Sequence, residues 1–102
     1  MGASEPAAHR LQVSVEEVDR ASVGVLDEQL AAALRDHTGG TLVVDLGAVR
    51  FLDSSGIRAL IDADRTAARD GGRVNVVGAT GVVRRALEVS GVWDHLAALP
   101  SA

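Results

Sequence analysis

The chain has 102 residues, a formal net charge of −4 and no cysteine, and every one of its basic residues is an arginine. At this length one domain with one core is expected, burying roughly 60 to 70% of the unfolded chain's surface. The composition excludes several classes: no basic stripe to hold a nucleic-acid backbone, no lysine for a Schiff base or an ordinary P-loop, and no thiolate, disulfide or cysteine metal site.

Residues 1–10, "MGASEPAAHR", are small and polar and read as a flexible arm without a signal-peptide core. In "LQVSVEEV" the apolar Leu11, Val13 and Val15 alternate with polar residues, the pattern of a half-buried strand. After a polar connection through Asp19, Arg20 and Ser22, the leucines Leu26, Leu30 and Leu34 form a helical stripe that stops near "HTGG", where His37 suits the helix C-terminus. "TLVVDL" is a short, almost continuous apolar run, as expected of a buried parallel strand. "FLDSSGIRAL" follows and opens a second helix, with Ile57, Leu60, Ile61, Ala67 and Ala68 on one face, Arg58 and Arg65 off it, and Gly71 or Gly72 at its end. "RVNVVGA" predicts another strand, and Thr80 is placed to cap a third helix running to about Val89. Arg84 and Arg85 read as a solvated face of that helix, and Trp93 as packing near its end. No apolar stretch approaches the roughly 20 residues that span a bilayer, so a soluble, cytoplasmic protein is the expectation.

Alternating strands and helices with short connections imply right-handed crossovers and a largely parallel sheet. The loops leaving the strand C-termini then gather on one rim, where open α/β sheets keep their function. That rim is expected to collect Asp19 to Ser22, Gly47 to Ser55, and Gly78 to Thr80.

The run Asp53, Ser54, Ser55, Gly56 at this rim admits several readings. As a cap, Asp53 or Ser54 accepts a hydrogen bond from an orphan helix amide. That leaves a second hydroxyl unexplained, and a glycine that weakens a helix by up to about 1 kcal/mol relative to alanine. A hydrolase elbow requires Gly-x-Ser-x-Gly. Here Gly56 directly follows Ser55, and His9, His37 and His95 all lie off the rim, so no base is at hand. As a phosphoacceptor, a serine at a helix start is exposed, Gly56 lets a partner's backbone approach, and phosphate brings about −1.5 to −2 charges. Those charges would meet Asp53 and Asp19, making a repulsive switch. Local chemistry alone leaves the cap and acceptor readings open.

Taken in order, "VEEVDRASVGVLDEQLAAAL", "TLVVDLGAVRFLDSSGIRALIDADRTAARDGGRVNVVGA" and "VVRRALEVSGV" closely resemble the STAS domain of bacterial anti-sigma factor antagonists, from about Val15 to Val92. The resemblance implies a single small α/β domain over residues 11–99, with a mixed, mostly parallel sheet of about four strands and three to four helices. It also implies a function without catalysis: the unphosphorylated protein binds an anti-sigma factor, itself a serine kinase of the histidine-kinase-like ATPase fold, and frees the sigma factor. The kinase uses ATP and Mg²⁺ to phosphorylate the second serine of Asp-Ser-Ser-Gly, which ends binding, and a PP2C-type phosphatase resets the switch. Carried onto this chain, the acceptor is Ser55, and the surface expected to meet the partner comprises Asp19, Asp53, Ser54, Gly56, Ile57, Arg58 and Thr80, with no metal or cofactor. Two departures stand out. Glu16, Glu17, Val18, Asp19 replaces the usual Gly-Glu-Leu-Asp, and only ten poor strand formers precede Leu11, so the family's edge strand is expected to be short or missing.

Two other functions fit a domain of this kind. One is a STAS subunit docked on another ATPase, such as that of a lipid-transport ABC system, or a scaffold in a stress-signalling assembly. The other is a small ligand- or nucleotide-binding domain that uses helix amides as an anion site.

Overall fold

The computed structural model describes residues 9–36 and 39–97. In chain order the elements are β1 (His9–Gln12), β2 (Glu17–Val18), α1 (Val23–Asp36), β3 (Thr41–Asp45), β4 (Phe51–Leu52), α2 (Ser54–Arg69), β5 (Arg73–Val77), α3 (Gly81–Val89) and α4 (Trp93–Leu96). The first strand begins at His9, inside the stretch read as an arm, and the stretch read as one strand, residues 11–18, is divided: β1 ends at Gln12 and β2 covers only Glu17–Val18. Most of the arm, and His37, which the sequence suits to a helix C-terminus, lie outside the described residues.

The strands form two sheets, β1-β3-β5 and β2-β4, and every described pairing is parallel. β3 is central, with Leu11 and Val76 on either side of Val44 and Val74 beside Leu42. The pairing of β1 and β3 continues past its end through the Val13 amide, which donates to the Asp45 carbonyl at 3.1 Å. The family's additional hairpin strand, expected short or missing ahead of Leu11, falls almost wholly outside the described residues, and β1 instead pairs parallel with β3.

The sheet is covered unequally. Leu42, Val44 and Leu46 are buried, whereas Thr41, Val43 and Asp45 are half-buried, so β3 is not the doubly covered strand its composition suggests. Val43 shares its face with Arg10 on β1, and there Arg10 pairs with Asp45 at 2.6 Å. On the other face α1 and α2 pack together and onto the edge strands, α1 on β1 and α2 on β5. Leu26 and Leu30 from α1 enter the core as their spacing predicts, whereas Leu34 is half-buried against it and Ala33 is buried in its stead. From α2 the buried residues are Gly56, Ile57, Ala59, Leu60, Ala63 and Ala67. The buried stripe is rotated from the predicted one: Ala59 and Ala63 point inward, Ile61 is half-buried and Ala68 is exposed. Small residues win these positions because α2 must fit against both the sheet and α1.

The α2-to-β5 turn passes close to the one before β3. Gly71 takes the left-handed conformation at φ 81°, while Gly72 faces the backbone of Gly40, whose carbonyl a β-carbon at residue 72 would strike. Gly72→Ala is expected to destabilise the fold by about 1 to 3 kcal/mol, the range of overpacking against atoms that cannot yield. Gly24→Ala, in an exposed helical turn with open space around it, should instead gain up to about 1 kcal/mol. Urea denaturation of both variants, with unchanged m-values, checks the pair.

Candidate functional site

The site is built where two very short strands meet the start of α2. The Glu16 carbonyl accepts from the Arg50 and Phe51 amides at 2.6 and 3.2 Å, and the Asp53 amide donates to the Val18 carbonyl at 3.0 Å. These bonds tie the loop before α1 to the turn before α2. Glu16, the charge standing where the family usually has glycine, contributes its backbone carbonyl to this junction and leaves the residue exposed.

Asp53 has extended backbone, φ −97° and ψ −171°, and caps α2. Its Oδ1 accepts from the Ser55 amide at 2.8 Å, the Gly56 amide at 3.3 Å and the Ser55 hydroxyl at 2.5 Å. The Ser55 hydroxyl, then the two amides and the nearby Arg20 charge, hold the Asp53 carboxyl below the usual carboxylate range against the opposing effect of desolvation. The cap and the candidate acceptor are thus parts of one hydrogen-bonded unit. Ser54 is exposed beside it, and Ser55 is half-buried, its hydroxyl directed at Asp53.

Several sequence-predicted residues take other places. Gly56 does not hold an approach open for a partner: it is buried, and a β-carbon there would strike Leu52 and lie 2.8 Å from Val18 Cγ1. Its role is to let α2 sit down on β2 and β4. Ile57 is only 8% exposed and belongs mainly to the core. Asp19 does not turn its carboxylate toward the serines, because Oδ1 accepts from the Ala21 and Ser22 amides at 3.0 and 3.1 Å and closes the turn that opens α1. Thr80 occupies the position before α3, but its side chain makes no capping hydrogen bond, and it lines neither of the hollows beside Asp53.

Two hollows flank the Asp53 turn. One, of about 300 Å³, is lined by Arg20, Ser54, Ser55 and Arg58. Arg20 was legible only as part of a polar connection; its adjacency to Asp19 was the available signal. The other, of about 470 Å³, lies between the start of α2 and α3, where Phe51, Val82 and Val89 expose apolar surface beside Arg85. Its signal was weak: Val82 and Val89 are two turns apart on α3, but Phe51 comes from a strand too short to predict. Arg84 is engaged elsewhere, 4.7 Å from the centre of the Trp93 ring and 2.9 Å from Glu88.

His95 is remote from the serines. Its Nε2 lies 2.7 Å from Asp64 Oδ2, and the other Asp64 oxygen accepts from the Val74 amide near the start of β5. The helix amides that a free anion would use at Ser55 and Gly56 are already held by the chain's own carboxylate, which weighs against a simple anion pocket.

The chain is thus a small α/β domain with parallel strands whose Asp-Ser-Ser-Gly turn opens a helix. Residues 3–99 match the family model described as "Mlab, STAS domain", and the chain belongs to that family. The fold is similar to that of the anti-sigma factor antagonist SpoIIAA in its unphosphorylated form, with a TM-score of 0.67, 20% identity, and coverage of 81% of this chain and 71% of that one. It is similar also to part of the murine anion transporter Slc26a9 in its inward-facing state, with a TM-score of 0.68, 21% identity, and coverage of 83% of this chain but 14% of the transporter. No curated protein sequence matches the chain. Among the described residues, no helix is long and apolar enough to cross a membrane.

Because folding lowers the Asp53 pKa, its contribution to stability is full above the unfolded value of about 4 and is lost as pH falls through the folded one. Asp45 acts with the same sign, its carboxyl lowered by the Gly47 amide and by Arg10. Asp53→Asn is therefore expected to flatten, without abolishing, the fall in melting temperature on acidification below about pH 5. Thermal unfolding followed by circular dichroism from neutral to acidic pH checks this, and an unchanged acid profile would contradict the assignment.

Proposed function

We propose that this protein is a phosphorylation-switched binding module that antagonises an anti-sigma serine kinase of the histidine-kinase-like ATPase fold, with Ser55 as the acceptor. The observation that carries this reading is the 2.5 Å hydrogen bond from the Ser55 hydroxyl to Asp53. Phosphoryl transfer asks chiefly for a positioned nucleophile and a place for its proton. Asp53, ionised at neutral pH, fixes the direction of the hydroxyl and can accept that proton. The γ-phosphoryl of ATP passes to Ser55 Oγ, ADP leaves, and the proton moves through Asp53 to solvent, with the kinase supplying Mg²⁺ and the nucleotide site.

The unmodified surface binds the kinase and releases the sigma factor, and phosphate on Ser55 ends that binding. A PP2C-type phosphatase restores it. The domain contributes no catalysis of its own, and it works in the cytoplasm, where ATP and the kinase are. The hollow bordered by Phe51, Val82 and Val89 lies beside the acceptor turn and gives the kinase an apolar contact next to its substrate.

Incubation with ATP, Mg²⁺ and each anti-sigma kinase of the same cell, followed by intact-mass spectrometry, should show one added phosphate. Ser55→Ala should abolish it and Ser54→Ala should retain it. Asp53→Asn should slow incorporation about 100-fold or more, the lower bound of a lost general base, while circular dichroism shows a folded protein. Modification of Ser54→Ala lost and of Ser55→Ala retained would move the acceptor to Ser54.

A second reading, a STAS adaptor on a transport ATPase, is favoured by the description of the matched family and by the similarity to a segment of an anion transporter. Under that reading no kinase adds phosphate, and co-purification with a transporter ATPase persists in Ser55→Ala.

A further inference from the structure

Two cations face the candidate acceptor. Arg20, from the loop before α1, and Arg58, from the first turns of α2, line the same hollow as Ser54 and Ser55. Both residues are exposed. Among the described residues, Arg10 and Arg84 have carboxylate partners, whereas no hydrogen bond or ion pair fixes Arg20 or Arg58. Arg20 acts on Asp53 only through its charge.

We propose that Arg20 and Arg58 form a clamp for a phosphomonoester, filled from within the chain when Ser55 is phosphorylated. The proposal rests on the acceptor reading above. Helical spacing holds Arg58 three residues after Ser55, so the two lie on neighbouring surface of α2. The β2-β4 pairing brings Arg20 to the other side of the hollow. A guanidinium offers phosphate paired, charge-assisted donors, and two of them suit a dianion.

Asp53 supplies the direction. In the unmodified protein the Ser55 hydroxyl donates to this carboxylate. Once Oγ carries phosphate it has no proton to donate, and two anions adjoin. Repulsion from Asp53 turns the phosphate away from the helix cap and toward the guanidinia. The phosphate is tethered beside its site, so it competes as an intramolecular ligand against anything arriving from solution. The modification thereby removes two cations from the surface on which an acidic partner would dock. This differs from a purely repulsive switch: Asp19 is committed to its own turn, and the charged residues that line the hollow with Ser55 are both positive.

The experiment uses the full chain with phosphoserine inserted at position 55 during translation, so it does not depend on any kinase. A ³¹P NMR titration reads the second phosphate pKa, which lies near 6 for an isolated phosphoserine. The wild-type value is expected to lie at least about half a unit below that of the Arg20→Gln/Arg58→Gln double variant, with each single variant between them. Arg84→Gln, whose guanidinium is occupied by Glu88 and Trp93, should match wild type. Equal pKa values in wild type and the double variant, both folded by circular dichroism, would overturn the clamp. Failure of every kinase to modify Ser55 would instead remove the switch reading and leave this result standing.

Discussion

The close seating of α2 on the two-residue strands is the constraint on which the site depends. A helix can begin at Ser54 with its first turn against Leu52 and Val18 only because Gly56 has no side chain to keep them apart. That approach brings the Asp53 amide to the Val18 carbonyl. The turn is then anchored at its backbone, and its side chains inherit fixed directions. The polar Asp53 turn thus rests on a contact between apolar groups.

Held there, Asp53 serves two demands with one oxygen. It satisfies amides that a helix start leaves without partners, and it places a negative charge at the favourable end of the helix dipole. The same oxygen takes the Ser55 hydroxyl, so the state of that hydroxyl is coupled to the state of the cap. A group added to Ser55 acts on the α2 terminus as well as on the surface a partner would meet. Arg20 and Arg58 give the added charge somewhere to go, which makes the rim an electrostatically balanced surface despite the acidic balance of the whole chain.

Much of the architecture was legible because its signals are periodic. The leucines of α1, the valine run of β3 and the amphipathic sequence of α2 each span enough residues for burial to impose a repeat. β4 was not legible, because two residues contain no period, and β2 was legible only as the end of a longer strand that the structure divides. The rotation of the α2 stripe was also hidden: which alanines turn inward depends on where α1 packs.

The sequence by itself determined the class of the domain and the position of its special turn. Four consecutive residues, Asp53 to Gly56, have a chemistry that no ordinary helix start requires. Tertiary structure decided how that chemistry is distributed. Gly56 went to packing, Asp19 to its own turn, Asp53 to the serine, and Arg20 to the acceptor's side. The reason is physical: a sequence orders residues along one line, whereas hydrogen-bond partners and neighbouring charges are set by distance across elements far apart in the chain.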